Sequence, residues 1–169
     1  MSIERLPLPD HALHARYARD QAYADCYSTV ITRRVTHAQF VEAFYTTWLF
    51  KLERWILARA VRKPSSDGEA GQISRGEIVH FAAWTQEARA PDQLLMCDFL
   101  GATRSWFMVA PEGTGTRLYF GSVVTSRENP RTGQRELGRN YRLLMGFHKL
   151  YSRALLGAAR ARLERQSAV

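Results

Sequence analysis

The sequence has little of what marks the commoner functional classes. Its two cysteines, Cys26 and Cys97, stand far apart and form no C-x-x-C pair. That argues against a disulfide scaffold and against a zinc site, and leaves two small buried thiols in strand-like runs. No apolar run is clean enough to cross a bilayer. The best stretch, residues 40–61, carries Glu42, Lys51, Glu53, Arg54 and Arg59, which a bilayer centre tolerates only at high cost. The opening MSIERLPLPDHALHARYARDQ has no apolar core of the kind a secretory signal needs.

Catalytic signatures are missing as well. There is no nucleophile elbow, no Ser-His-Asp pattern and no dinucleotide fingerprint. The segment PEGTGT is glycine-rich, but no lysine follows and it joins two strands, so it reads as a hairpin turn. His11 and His14 have H-x-x-H spacing, yet no nearby carboxylate or thiol completes a ligand set. The expectation is no cofactor, no metal, and a soluble cytoplasmic protein.

What is present fits one domain of 169 residues, with 46% hydrophobic and 24% charged residues. A chain this long buries roughly 70% of the surface that its unfolded form exposes. The formal charge of +8 is dispersed rather than gathered in a tail. It suits an acidic partner or surface as well as plain solubility.

Residues 1–24, with Pro7 and Pro9, read as an extended N-terminal arm. DCYSTVITRRV, residues 25–35, is rich in β-branched residues and reads as a strand. Thr36 and Gln39 have capping-box spacing and open a helix. Phe40, Phe44, Trp48 and Trp55 then fall on one helical face, with Phe50 and Leu57 on another. Two helices breaking at Thr46–Thr47 explain that wide girdle, and Trp48 and Trp55 are expected in the core. KPSSDGEAGQISRG, residues 63–76, reads as loop.

Four strands follow, at residues 78–88, 93–100, 104–110 and 116–125. Their short separators favour an antiparallel meander. After a polar loop at 126–138, an amphipathic helix runs from about Asn140 to Arg165, with a tail at 166–169. Its apolar face includes Leu143, Leu144, Phe147, Tyr151 and Leu155. Arg142, Lys149, Arg153 and Arg160 lie opposite. The order is that of an α+β domain with helices on one face of the sheet.

In residues 93–100 and 104–110 both alternating sets are apolar, whereas a half-exposed sheet alternates cleanly. The outer face therefore needs cover, from the arm or from a second subunit. An arm of two dozen residues is thin cover, which favours a homodimer.

This arrangement resembles the SRPBCC superfamily, the START-like and polyketide-cyclase-like helix-grip domains, over residues 25–165. The resemblance rests on element order and on the helix pair after the first strand. The stretch TRLYFGSVV…RNYRLLMGFHKLYSRALLGAARARL supports it further. YADCYS, FYTTWLFKLERWIL and TRSWFMV look like bacterial members of that group. It implies a sheet curled around the C-terminal helix, with a cavity for a lipid, polyketide or other apolar ligand, sometimes cyclised or dehydrated there. Five strands are legible where larger members have seven, so either one hides in residues 68–80 or the sheet is smaller.

A pocket of this kind takes apolar walls with a few polar anchors. Trp84, Trp106, Phe107, Met108, Tyr119 and Phe120 are the sheet's candidates, and Phe147, His148 and Tyr151 the helix's. Asp98, inside LLMCDFL, needs a partner if buried, and Arg104 across the GAT turn is the expected one. Asp98, His148 and His80 are the candidate acids and bases. Three readings stay open: an apolar-ligand carrier, a cyclase or dehydratase using the same cavity, and an interaction module using the basic helix face. Nothing in the basic stripe interleaves aromatics as single-stranded nucleic acid requires.

Overall fold

The computed structural model describes residues 2–20, 22–125, 127–128, 135–136 and 141–166. The side chains of 127–128, 135–136 and 141–148 are not among what is described. Its strands are β1 (Glu4–Arg5), β2 (Tyr23–Ile31), β3 (His80–Phe81), β4 (Trp84–Ala90), β5 (Gln93–Asp98), β6 (Thr103–Glu112), β7 (Gly115–Val124), β8 (Arg127–Glu128) and β9 (Arg135–Glu136). Its helices are α1 (Ala15–Arg19), α2 (His37–Tyr45), α3 (Trp48–Ala60), α4 (Asp67–Arg75) and α5 (Tyr141–Arg165). This is the expected α+β architecture of the helix-grip kind, an antiparallel sheet packed on a long C-terminal helix.

The main sheet has seven strands in the order β1-β2-β7-β6-β5-β4-β3, all antiparallel. Two more strands than expected come from opposite ends. The arm supplies β1, pairing Glu4 with Ser28 and Arg5 with Tyr27. The stretch read as one strand at 78–88 is instead the hairpin β3–β4. β8 and β9 form a separate two-stranded ladder within the segment read as loop.

Helix boundaries follow capping chemistry. Gln39 N–H donates to Thr36 Oγ1 at 3.1 Å and Thr36 N–H to Gln39 Oε1 at 2.9 Å, closing the expected box. The break falls where expected: Thr46 Oγ1 donates back to Glu42 O, and Thr47 caps α3 by accepting from Phe50 N–H. Residues 63–76 correct the loop expectation. Ser66 and Glu69 make a second capping box, and Gly76 ends α4 with φ +79°, a conformation that glycine adopts without steric penalty.

Residues alternate between two apolar faces. Tyr27, Leu94, Met96, Phe107, Leu118 and Phe120 meet the helices on the concave face. Phe40, Phe44, Tyr45, Phe50 and Phe81 join Phe107 and Phe120 in one aromatic cluster, with ring centroids 4.6–6.4 Å apart. Leu155, Leu156, Ala159 and Leu163 bring α5 onto the same core.

Cys26, Leu95, Trp106 and Met108 point to the convex face, where Ala12 and Ala15 bury against them. Leu6, Leu8, Leu13, Tyr17 and Tyr119 pack around. The arm therefore covers the face for which a second subunit was expected. Gly121 permits the closest approach there, since a Cβ would stand 2.5 Å from Asp25 O and 2.8 Å from His14 Nε2.

Polar side chains fasten the arm. Gln93 accepts from Leu13 N–H and from Trp106 Nε1–H, and donates to His11 O. Pairing between β4 and β5 slips by one residue at Gln86/Ala88, so Glu87 is an inserted bulge residue. Its carboxylate accepts from Arg16, from Tyr17 and, at 3.1 Å, from Arg104. Arg104 also lies 4.7 Å from the Tyr17 ring centroid.

Trp48 and Trp55 overturn the core expectation: they are 72% and 56% exposed. Splitting the girdle into two helices rotates α3, so that Phe50 and Arg54 turn inward and the tryptophans outward. Arg54 is held by Asp67, Ser65 and the Tyr45 carbonyl.

Candidate functional site

The aromatic cluster does not fill the whole concave side. A cavity of about 520 Å³ remains between α3, α5 and the ends of β4, β6 and β7. α3 contributes Leu49, Phe50, Leu52, Glu53, Ile56 and Leu57. The sheet contributes Trp84, Thr103, Arg104, Ser105 and Phe120, and α5 contributes Tyr151, Ser152 and Leu155. Leu52 and Ile56 are each about half exposed, so the cavity opens past them. Size and lining are those of a small-molecule pocket.

Its walls carry one carboxyl, Glu53, and Arg104, whose guanidinium is held by Glu87. Glu53 lies one helical turn from Leu49 and one from Leu57, inside the apolar stripe of α3. Burial raises its pKa, partly offset by Tyr151 Oη–H, which donates to Glu53 Oε2 at 2.5 Å. The Tyr151 phenol is pushed up by burial and by the Glu53 charge, so it stays a donor. A carboxyl biased toward its neutral form beside a phenol can anchor a hydroxyl, carbonyl or amine on an otherwise apolar molecule.

The residues singled out from the sequence divide by face. Trp84, Arg104, Phe120 and Tyr151 line the cavity, and Phe107 lies in the core behind it. Trp106, Met108 and Tyr119 do not line it: they lie on the convex face, beneath the arm. Arg104 sits between the wall residues Thr103 and Ser105, but strand alternation turns its guanidinium to Glu87 and Tyr17. The expected Asp98–Arg104 pair gives way to this one. Asp98 instead holds the β5–β6 turn, accepting from Ala102 N–H at 2.8 Å and Thr103 Oγ1–H at 2.9 Å. His80 is exposed and contacts Thr85 Oγ1 at 3.0 Å. The side chains of Phe147 and His148 lie outside the described residues. Neither Asp98 nor His80 is among the residues lining the cavity, although Asp98 bonds the wall residue Thr103.

Glu53 is the residue that reading the sequence passed over. The signal was present as a carboxylate four residues from a leucine on either side. Among the described residues, no three His, Cys, Asp or Glu side chains gather to hold a metal. No described helix is long and apolar enough to cross a membrane.

Among the described residues of the basic face of α5, Lys149, Arg153 and Arg160 each have a partner, and the side chain of Arg142 lies outside the described residues. Lys149 lies over the Tyr23 ring, Arg153 reaches Ile3 O at 3.5 Å, and Arg160 donates to Thr29 Oγ1 and pairs with Glu164.

No protein-family model matches the chain, and no curated protein matches it. Among solved structures it is similar to the crystal structure of CalU16 from Micromonospora echinospora. Identity is 13%, over 99% of this chain and 94% of that one, with a TM-score of 0.31. So loose a likeness carries no argument, and the functional reading rests on the chain's own geometry.

Proposed function

We propose that the protein binds an apolar small molecule carrying one polar group, in the cavity between the sheet, α3 and α5. The carrying observation is the pairing of Glu53 with Tyr151 in an otherwise apolar void of about 520 Å³. A packed core leaves few voids larger than a water molecule. A half-buried carboxyl on an apolar wall, with Tyr151 as its partner, leaves capacity for a further hydrogen bond to a ligand. The element order of helix-grip proteins in the SRPBCC superfamily supports the same reading.

The test is titration with a fluorescent fatty-acid analogue, alongside mass spectrometry of organic extracts of the purified protein. Saturable one-to-one binding is expected, and Ser152→Trp, which fills the void, should abolish it. A protein that takes up no apolar probe and yields no co-purifying small molecule sinks the reading.

The Glu53–Tyr151 pair also favours a second reading, acid–base catalysis of the cyclase or dehydratase kind on the bound molecule. Glu53→Gln would then stop turnover of a bound substrate while leaving uptake of the fluorescent probe within a few fold. Equal turnover by that variant removes this reading and leaves the carrier.

A further inference from the structure

The outer side of α3 borders the mouth of the cavity at Leu52 and Ile56, and beyond that it is not an ordinary solvated face. Trp48, Leu52, Trp55 and Ile56 follow the i, i+4, i+7, i+8 pattern and make one continuous stripe. They are 72%, 49%, 56% and 50% exposed. A contiguous apolar ridge of this size on a water-facing helix marks an interaction surface. Two exposed indoles narrow its chemistry, because tryptophan concentrates where apolar and wet environments meet, above all at the lipid headgroup level.

The charge around the ridge is of one sign. The Arg59 guanidinium lies 4.2 Å from the Trp55 ring centroid, at the edge of the stripe, and Arg62 and Lys63 follow it in the exposed end of the helix and its exit. The acidic residues nearby are already engaged: Glu53 turns into the cavity, and Asp67 pairs with Lys51 and Arg54. The whole chain carries +8.

We propose that the outer ridge of α3 docks the protein onto an anionic lipid bilayer, with the tryptophans in the headgroup layer and the flanking cations on lipid phosphates. A second copy of the chain fits less well. A twofold contact through this ridge sets Arg59, Arg62 and Lys63 near their own counterparts, on molecules that already repel each other. Leu52 and Ile56 belong to both the ridge and the cavity wall. Docking therefore brings the open side of the cavity to the lipid, where an apolar ligand can pass without crossing water.

The experiment is co-sedimentation of the full chain with vesicles of phosphatidylcholine, and with an equal mixture of phosphatidylcholine and phosphatidylglycerol. Tryptophan emission is followed in parallel. Anionic vesicles should bind at least about tenfold more tightly than neutral ones, with a blue shift, and high salt should weaken them. Trp48→Ser/Trp55→Ser should lose that affinity while its circular dichroism and unfolding midpoint stay those of the parent. Ser152→Trp, which blocks the cavity, should bind vesicles like the parent, so that failure of docking and failure of ligand binding are read separately. Absence of retention on anionic vesicles overturns the proposal, as does undiminished retention of the double variant. A dimer that the double substitution dissolves, with no vesicle binding, overturns it in favour of a self-contact. Capture of an acidic protein without vesicle binding overturns it in favour of a protein partner.

Discussion

The two faces of the sheet are built from the same alternating strands, yet they are finished differently. The convex face is closed by a thin arm, and most of its polar groups are paired, although the buried His14 Nδ1 has no hydrogen-bond partner among the described residues. Trp106 Nε1–H is satisfied by Gln93, and Glu87 collects Arg16, Tyr17 and Arg104. The concave face is closed by four helices and a crowded aromatic cluster, and still keeps a void. On its wall the Trp84 indole N–H has no hydrogen-bond partner among the described residues. Thin cover relies on polar fastening beside its apolar contacts. Thick cover tolerates a gap, and a gap beside a carboxyl is where a ligand fits.

That contrast can be broken most directly in the aromatic cluster. Phe44 touches Phe40, Tyr45, Phe50, Phe107 and Phe120, so Phe44→Ala should cost about 3–5 kcal/mol in urea unfolding. A loss under about 1 kcal/mol would mean that the helical side is loosely packed throughout, cavity or not.

Acid tests both faces at once. His14, its ring tilted against Trp106 at 4.2 Å between centroids on the arm side, is pushed down to about 4 by burial, and His37 at the start of α2 is pushed down to about 4 by burial and by Arg89. Both stay neutral in the fold while the unfolded chain takes up protons near pH 6.5. The unfolded state thus binds more protons between about pH 6.5 and 4, so stability falls as pH drops through that window and levels below it, by about 3 kcal/mol for each group. Urea midpoints at several pH values check the slope. His14→Gln should remove about half of it, and an unchanged slope would show that the arm's histidine is not held neutral.

The two indoles sharpen the comparison further. Trp106→Phe removes one of the two hydrogen bonds to the Gln93 side-chain oxygen, which keeps Leu13 N–H, and should cost about 1 kcal/mol beyond the volume change. Trp84→Phe deletes an unmatched donor and should cost nothing measurable beyond its own volume change. Equal costs would erase the distinction between the faces. The smallest effect belongs to Trp48→Ser, within about 0.5 kcal/mol, because its ring already meets water.

Much of this architecture could be read from the residues. Thr36 and Gln39 announced α2 because a capping box is a local contract between neighbours. The doubled apolar alternation in β5 and β6 announced that both faces are covered. The features that stayed hidden depended on distant or subtle terms. Ser66 and Glu69 are as good a box as the first, but Gly68 and Gly71 lower the helix propensity of the turns that the box opens. Trp48 and Trp55 looked like core because periodicity gives a stripe and not the direction it faces. Trp106, Met108 and Tyr119 looked like cavity lining because alternation alone does not say which face is concave. Glu53 passed as one charge among several until Tyr151, nearly a hundred residues away, was seen to meet it.

The inserted residue in β4 has a consequence for the site. Trp84 and Ala88 are four apart, and in an unbroken strand an even spacing would put both on one side. Here the indole borders the void while the alanine meets the arm. Glu87 therefore acts as a phase shift as well as an anchor. Excising it would leave Trp84 and Ala88 three apart, on opposite sides of a regular ladder, so the indole would keep its place on the binding wall while the arm lost its anchor. Pairing Glu87 into the ladder without the bulge would instead swing residues 84–86 through half a period and drive the indole into the arm.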